Sequence, residues 1–175
     1  AIIKGEWFWD GDGWYLASST GPIRVGWVED EAYGYRYHLN DGSNGTFGKM
    51  DANRWVLEGG NWYWMGANGT IAGGWQWIEG EWYYLNPEEG GDFGKMQKGW
   101  IWDGHAWYHT NSSGMMQRNH WEYINGAWYY LGSDGIMRTG WAWIDGAWYY
   151  FDPSGVMYAQ RMTPDGCLVG ADGRW

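Results

Sequence analysis

Gly140-Trp141-Ala142-Trp143-Ile144-Asp145-Gly146-Ala147-Trp148-Tyr149-Tyr150-Phe151 decides how the chain folds, because two aromatic runs flank an Asp-Gly pair. Asp-Gly or Asn-Gly in that setting is the strongest short-range hairpin signal, since glycine accepts the positive φ of a primed turn. A two-residue turn at Asp145-Gly146 sets Ile144 opposite Ala147, Trp143 opposite Trp148 and Trp141 opposite Tyr150. Strand alternation then puts Trp141, Trp143, Trp148 and Tyr150 on one face, with Ala142, Ile144, Ala147 and Tyr149 on the other.

The pattern repeats along the chain. Gly74-Trp75-Gln76-Trp77-Ile78-Glu79-Gly80-Glu81-Trp82-Tyr83-Tyr84-Leu85 matches it at nearly every position, and each repeat closes in a Gly-x-Met element such as Gly155-Val156-Met157. The leading Trp recurs at Trp7, Trp27, Trp55, Trp75, Trp100, Trp121 and Trp141, and Met162 takes the next slot. A second Trp follows seven residues later at Trp14, Trp62, Trp82, Trp107, Trp128 and Trp148; in the Trp27 repeat, Tyr35 stands eight residues on. Two longer steps carry the insertions Asn40-Asp41-Gly42-Ser43-Asn44-Gly45 and Asn86-Pro87-Glu88-Glu89-Gly90-Gly91, each followed by Phe-Gly-Lys-Met. Loops absorb such insertions at little thermodynamic cost.

A lone two-stranded hairpin is marginal in water, so its stability must come from stacking on neighbours. The expected fold is all-β, a β-solenoid of stacked hairpin repeats of about 20 residues with two longer units. Residues 1–175 read as a single array with repeats starting near 7, 27, 55, 75, 100, 121, 141 and 162. Arg161 to Trp175 form a degenerate last repeat suited to act as a cap. No segment shows a sustained helical period.

Composition agrees. Leu, Ile, Val and Phe are scarce and the net charge is −10, which together would signal disorder, but 19 Trp and 14 Tyr supply a large buriable ring surface. The acidic balance argues against a nucleic-acid partner, which needs a basic patch. No apolar run approaches a membrane span, and Ala1-Ile2-Ile3-Lys4 is too short to read as a signal peptide. Cys167 is the one cysteine, so no intrachain disulfide forms.

Gly-Trp, a turn glycine, Trp-Tyr-Tyr and Gly-x-Met together resemble the choline-binding or cell-wall-binding repeats of bacterial surface proteins and phage lysins, which are related to glucan-binding and toxin-type repeats. The resemblance implies a left-handed superhelix of hairpins with a choline held between successive ones. It implies cages made of the Gly-Trp and Trp-Tyr-Tyr indoles of one repeat and the last Tyr of the next. Matching cages are Trp55, Trp62 and Tyr84; Trp100, Trp107 and Tyr130; and Trp121, Trp128 and Tyr150. Weaker ones are Trp7, Trp14 and Tyr37; Trp27, Tyr35 and Trp64; and Trp75, Trp82 and His109. Trp141 and Trp148 find no aromatic donor in the last repeat, so no site is expected there unless another chain completes it. Many relatives carry a polar residue two places after the Gly-Trp, whereas this chain has Trp9, Trp77, Trp102, Tyr123 and Trp143. Those rings would thicken the core, occlude a small ligand or extend the surface into a sugar platform.

The chemistry suits a cation without the name. A quaternary ammonium offers no hydrogen-bond donor, and ring faces attract it by about 0.5 to 2 kcal/mol each. A single site of about millimolar affinity would not hold a protein on a surface, but a repeated array on a repeated polymer gains avidity of about 10² to 10⁴. Met50, Met96, Met116, Met137 and Met157 read as filler at hairpin junctions rather than ligand contacts.

Catalytic signals are weak. His38, His105, His109 and His120 share no Asp or Ser pattern, and Asp10-Gly11-Asp12-Gly13 reads as a turn before a calcium loop. No metal, cofactor or catalytic residue is expected. The sequence thus points to a non-catalytic, extracellular, cell-wall or cell-surface attachment module binding choline groups of teichoic-acid-type polymers, and it is suited to form part of a larger polypeptide. Its alternatives are a carbohydrate module stacking glucan on the same rings and a structural spacer.

Overall fold

The structure, a computed structural model, describes residues 5–43 and 45–175; the Ala1-Ile2-Ile3-Lys4 segment and Asn44 of the first insertion lie outside the described residues. The strands pair as eight antiparallel two-stranded hairpins. In order these are β1 (Trp7–Trp9) with β2 (Trp14–Leu16), β3 (Gly26–Asp30) with β4 (Tyr35–Leu39), β5 (Arg54–Glu58) with β6 (Asn61–Met65), and β7 (Gly74–Ile78) with β8 (Glu81–Leu85). The rest are β9 (Gly99–Trp102) with β10 (Trp107–Thr110), β11 (His120–Ile124) with β12 (Ala127–Leu131), β13 (Gly140–Ile144) with β14 (Ala147–Phe151), and β15 (Arg161–Met162) with β16 (Leu168–Val169). The described residues contain no helix.

The turn chemistry explains the register. Asp145 and Gly146 both have positive φ, 48° and 87°, as a type I′ turn requires, and Asn125-Gly126 and Glu79-Gly80 do the same. Trp141 therefore opposes Tyr150 and Trp143 opposes Trp148, as expected from the sequence. At Asp10-Gly11-Asp12-Gly13 the Asp10 carboxylate instead accepts the N–H groups of Asp12 and Gly13, closing a longer turn. The hairpin of β3 and β4 also has a longer turn, and its register sets Glu29 opposite Arg36. Arg36, not Tyr35, thus stands where the other repeats carry their second Trp.

The chain divides into two compact units, residues 1–76 with 84–96, and residues 77–83 with 97–175. Within each, hairpins are joined by one recurring backbone bond. The Met157 N–H donates to the Trp128 carbonyl and the Met137 N–H to the Trp107 carbonyl, each at 2.8 Å, while in the first unit Met50 does so to Trp14. The Gly-x-Met element thereby ties each repeat to the second Trp of the one before. Its glycine has a steric reason as well: Gly155 has φ 84°, and a Cβ there would come within 2.3 Å of the Met137 sulfur. Met50, Met116, Met137 and Met157 are seated at hairpin junctions, each against the glycine of the following repeat.

Cores form between facing hairpins. Ile144, Tyr149 and Phe151 are buried in one cluster with Trp121, Tyr130 and Met157 against them. In the first unit, Val56, Tyr63, Met65 and Ile71 form another, covered by Trp27 and Phe93. One face of a hairpin, bearing the leading Trp, meets the opposite face of the next, bearing the middle Tyr of Trp-Tyr-Tyr.

Candidate functional site

The best-formed site lies in the second unit. Trp100 on β9, Trp107 on β10 and Tyr129 on β12 line an open cavity of about 300 Å³ together with Met137, Pro153 and Ser154. Its volume stands at the small end of ligand-binding cavities. Trp100 and Tyr129 meet edge to face, centroids 4.9 Å apart at 64°. The following junction repeats the plan: Trp121 and Trp128 stand at 86° with centroids 6.4 Å apart, and Tyr149 lies 4.8 Å from Trp121. Two indoles at a right angle form a corner, and a phenol from the next hairpin closes one side.

The third ring differs from the sequence expectation. Tyr130 faces Trp121 across its own hairpin (5.0 Å) and Tyr150 faces Trp141 (5.3 Å), so neither joins the preceding repeat's indoles. Register is the cause. The last Tyr is cross-strand to its own leading Trp, whereas the middle Tyr points from the opposite face toward the previous repeat. Tyr84 likewise faces Trp75 at 4.9 Å, while Trp55 and Trp62 make the same 86° corner at 6.4 Å. The Trp7 and Tyr37 rings do meet, 5.0 Å apart, because Tyr37 occupies the middle position opposite Val28. Burial, then the Asp30 charge, raises the Tyr37 phenol above its ordinary pKa. Trp14, beside it in the sequence expectation, lies on β2.

The remaining candidates are rearranged. Trp27 packs on Tyr63 at 4.9 Å, and the Arg36 guanidinium lies over its ring at 4.6 Å. Trp64 faces Trp55 at 5.4 Å, and Tyr35 is exposed and stacks on Tyr33. The expected Trp27, Tyr35 and Trp64 group is thus not assembled; the protein's own cation sits on Trp27. His109 faces Trp100 at 4.9 Å, with Nδ1 3.3 Å from a Glu122 carboxylate oxygen, while Trp82 contacts Trp77 at 5.4 Å. At the last junction an aromatic is supplied after all. Cys167, one place before Leu168, takes the middle-Tyr slot, but the Trp175 ring lies 5.8 Å from Trp141 and the Trp175 backbone N–H donates to the Trp148 carbonyl. The Trp141 indole N–H donates to Asp165, and bonds from Thr163 and then from Trp141 hold that carboxyl below the usual carboxylate range.

Sequence reasoning missed Tyr129, Tyr149, Arg36 and Trp175. Strand alternation was the signal for the first two; Arg36 depends on loop length, and Trp175 stands in the Met slot of a last Gly-x-Met-type turn, Gly173-Arg174-Trp175. Among the described residues no group of three or more His, Cys, Asp or Glu side chains is placed to hold a metal.

The repeats match known families. Residues 72–121 and 121–161 match a choline-binding repeat model, and residues 53–71 match a putative cell wall binding repeat model. The chain belongs to the choline-binding repeat family. Choline-binding protein F of Streptococcus pneumoniae, solved in the presence of a peptidoglycan analogue, is similar at 32% identity and a TM-score of 0.80 over 97% of this chain and 56% of that one. The choline-binding domain of CbpL from the same organism is similar at 29% identity and a TM-score of 0.63, over 99% of this chain and 97% of that domain. A multimodular pneumococcal cell wall endolysin from phage Cp-1, solved with choline, is similar at 27% identity and a TM-score of 0.50, over 77% of this chain and 37% of that one. The chain therefore spans little more than half of the choline-binding protein F chain. No curated protein sequence matches.

Proposed function

We propose that this chain is a non-catalytic, extracellular attachment module that binds choline groups of a cell-wall polymer such as teichoic acid, with its hairpins wound as a solenoid. The observation that carries this is the open cavity between Trp100, Trp107, Tyr129 and Met137. It offers three ring faces and a polarisable thioether, and no charged side chain lines it, which suits a cation with no N–H to donate. Trp121, Trp128 and Tyr149 bring the same three ring types together one hairpin later, with Tyr149 buried against Trp121. The choline complex of the phage endolysin supports the same ligand class.

Each cage contributes about 0.5 to 2 kcal/mol per ring before the entropy of capture, so a single site is weak and the array acts by avidity. The net charge of −10 favours the cation over the phosphate attached to it. Retention on a tertiary-amine resin tests this reading: elution by millimolar choline is expected, and elution by gluco-oligosaccharide with no response to choline would replace it with a glucan module. A structural spacer would show neither.

A further inference from the structure

Beside Trp107, Trp128 and Trp148 of the second unit stands an aromatic that the cages do not use. Trp102 packs across the strand on Trp107 at 5.6 Å, Tyr123 on Trp128 at 4.9 Å and Trp143 on Trp148 at 5.5 Å. These outer rings are open to solvent, at 51%, 59% and 60% exposure respectively. They thicken no core. Nor does the hairpin need them, because the same slot holds the exposed Leu57 in β5, and that hairpin forms the same register, with Leu57 opposite Trp62. Recurring exposed apolar rings with no folding role mark an interaction surface.

We infer that the outer rings are a stacking platform for the sugar residues of the polymer whose choline enters the cages, so that each repeat reads a choline and a neighbouring pyranose together. Continuity is the first argument: Trp107 is at once a wall of the 300 Å³ cavity and the partner of Trp102, and strand alternation sets Trp100 and Trp102 on one face. The match of faces is the second. The apolar C–H face of a pyranose fits a half-exposed indole, and polar groups for its hydroxyls stand near at Trp77, where Arg118 lies 5.6 Å over the ring and 3.9 Å from Glu81. Repetition is the third, since an outer ring on each of the successive hairpins β9–β10, β11–β12 and β13–β14 suits a polymer with a regular repeat.

The inference rests on the choline reading, and the test separates the two. The full chain and a Trp102→Thr/Tyr123→Thr/Trp143→Thr variant are titrated with free choline, a phosphocholine-substituted oligosaccharide, the same oligosaccharide without phosphocholine, and phosphatidylcholine vesicles. Expected is unchanged affinity for free choline, an about tenfold loss for the substituted oligosaccharide, and loss of the weak response to the unsubstituted one. The Trp102→Tyr/Trp143→Tyr variant, which keeps rings, should restore most of that affinity. Equal affinity of both proteins for the substituted oligosaccharide overturns the platform. Vesicle capture, or self-association, that depends on the outer rings while oligosaccharide binding does not also overturns it, in favour of a membrane surface or a second copy. If free choline fails to bind the wild-type chain, the cage reading fails, while ring-dependent binding of the unsubstituted oligosaccharide would still uphold the platform.

Discussion

Replacing Tyr129 by Leu, beside a matching Tyr130→Leu, separates the two possible third walls of the Trp100 cage. Tyr129 approaches Trp100 to 4.9 Å and lines the cavity, whereas Tyr130 packs on Trp121 at 5.0 Å on the far side of its own hairpin. Leucine keeps apolar volume in both places and removes the ring face. The loss of one ring at about 0.5 to 2 kcal/mol corresponds to about two- to thirtyfold weaker choline binding at that site. Because several weak sites blur a bulk titration, the assay should be site-resolved: the indole N–H resonances of Trp100 and Trp107 followed by ¹H–¹⁵N spectroscopy as choline is added. Tyr129→Leu should shift the midpoint for those two resonances, and Tyr130→Leu should leave it within about twofold. An equal effect of both variants, or an effect of Tyr130→Leu alone, would refute the assignment of the middle Tyr.

Arg36→Trp restores the second indole of the Trp27 repeat and removes the guanidinium from the Trp27 ring, so equilibrium dialysis should find one more choline bound per chain. Gly155→Ala combines a φ of 84° with a Cβ directed at the Met137 sulfur, and denaturant unfolding should show a loss of at least about 1 to 2 kcal/mol. Tyr15, raised to about 12 by burial and then by its bond to Asp12, should titrate well above the ordinary tyrosine range when absorbance is followed at alkaline pH. Its folded-state pKa lies above the ordinary value of about 10, so the folded chain holds this proton longer than the unfolded one. The associated stability is complete below about pH 10 and is lost as pH rises toward 12.

Much of the fold was legible because its determinants are local. Asp145-Gly146 and Asn125-Gly126 fix their turns by backbone conformation, and the register of the strands beside them follows without tertiary information. The site was less legible because it depends on how hairpins face one another. Tyr149 and Tyr150 are adjacent and chemically alike, and only the face each occupies decides which one meets Trp121. The alternation that separates them is present in the sequence, so that choice was recoverable. Arg36 was not, because the longer turn of β3 and β4 moves the register, and seven- or eight-residue spacing does not reveal which residue then faces Glu29. Trp175 takes the place that Met holds in the other Gly-x-Met turns, since Gly173 has φ 80° and the Trp175 backbone N–H donates to the Trp148 carbonyl as that of Met157 does to Trp128; the spacing marks that slot, but not that a ring there would meet Trp141.

The central claim is that the corner of Trp100 and Trp107, closed by Tyr129, receives a quaternary ammonium. A crystal structure of the chain grown with choline addresses it most directly. The account predicts density for a trimethylammonium group enclosed by these three rings, its nitrogen within about 6 Å of their centroids and the Met137 sulfur beside it. An empty cavity at saturating choline, or choline resting only on Trp102 and the other outer rings, would contradict it.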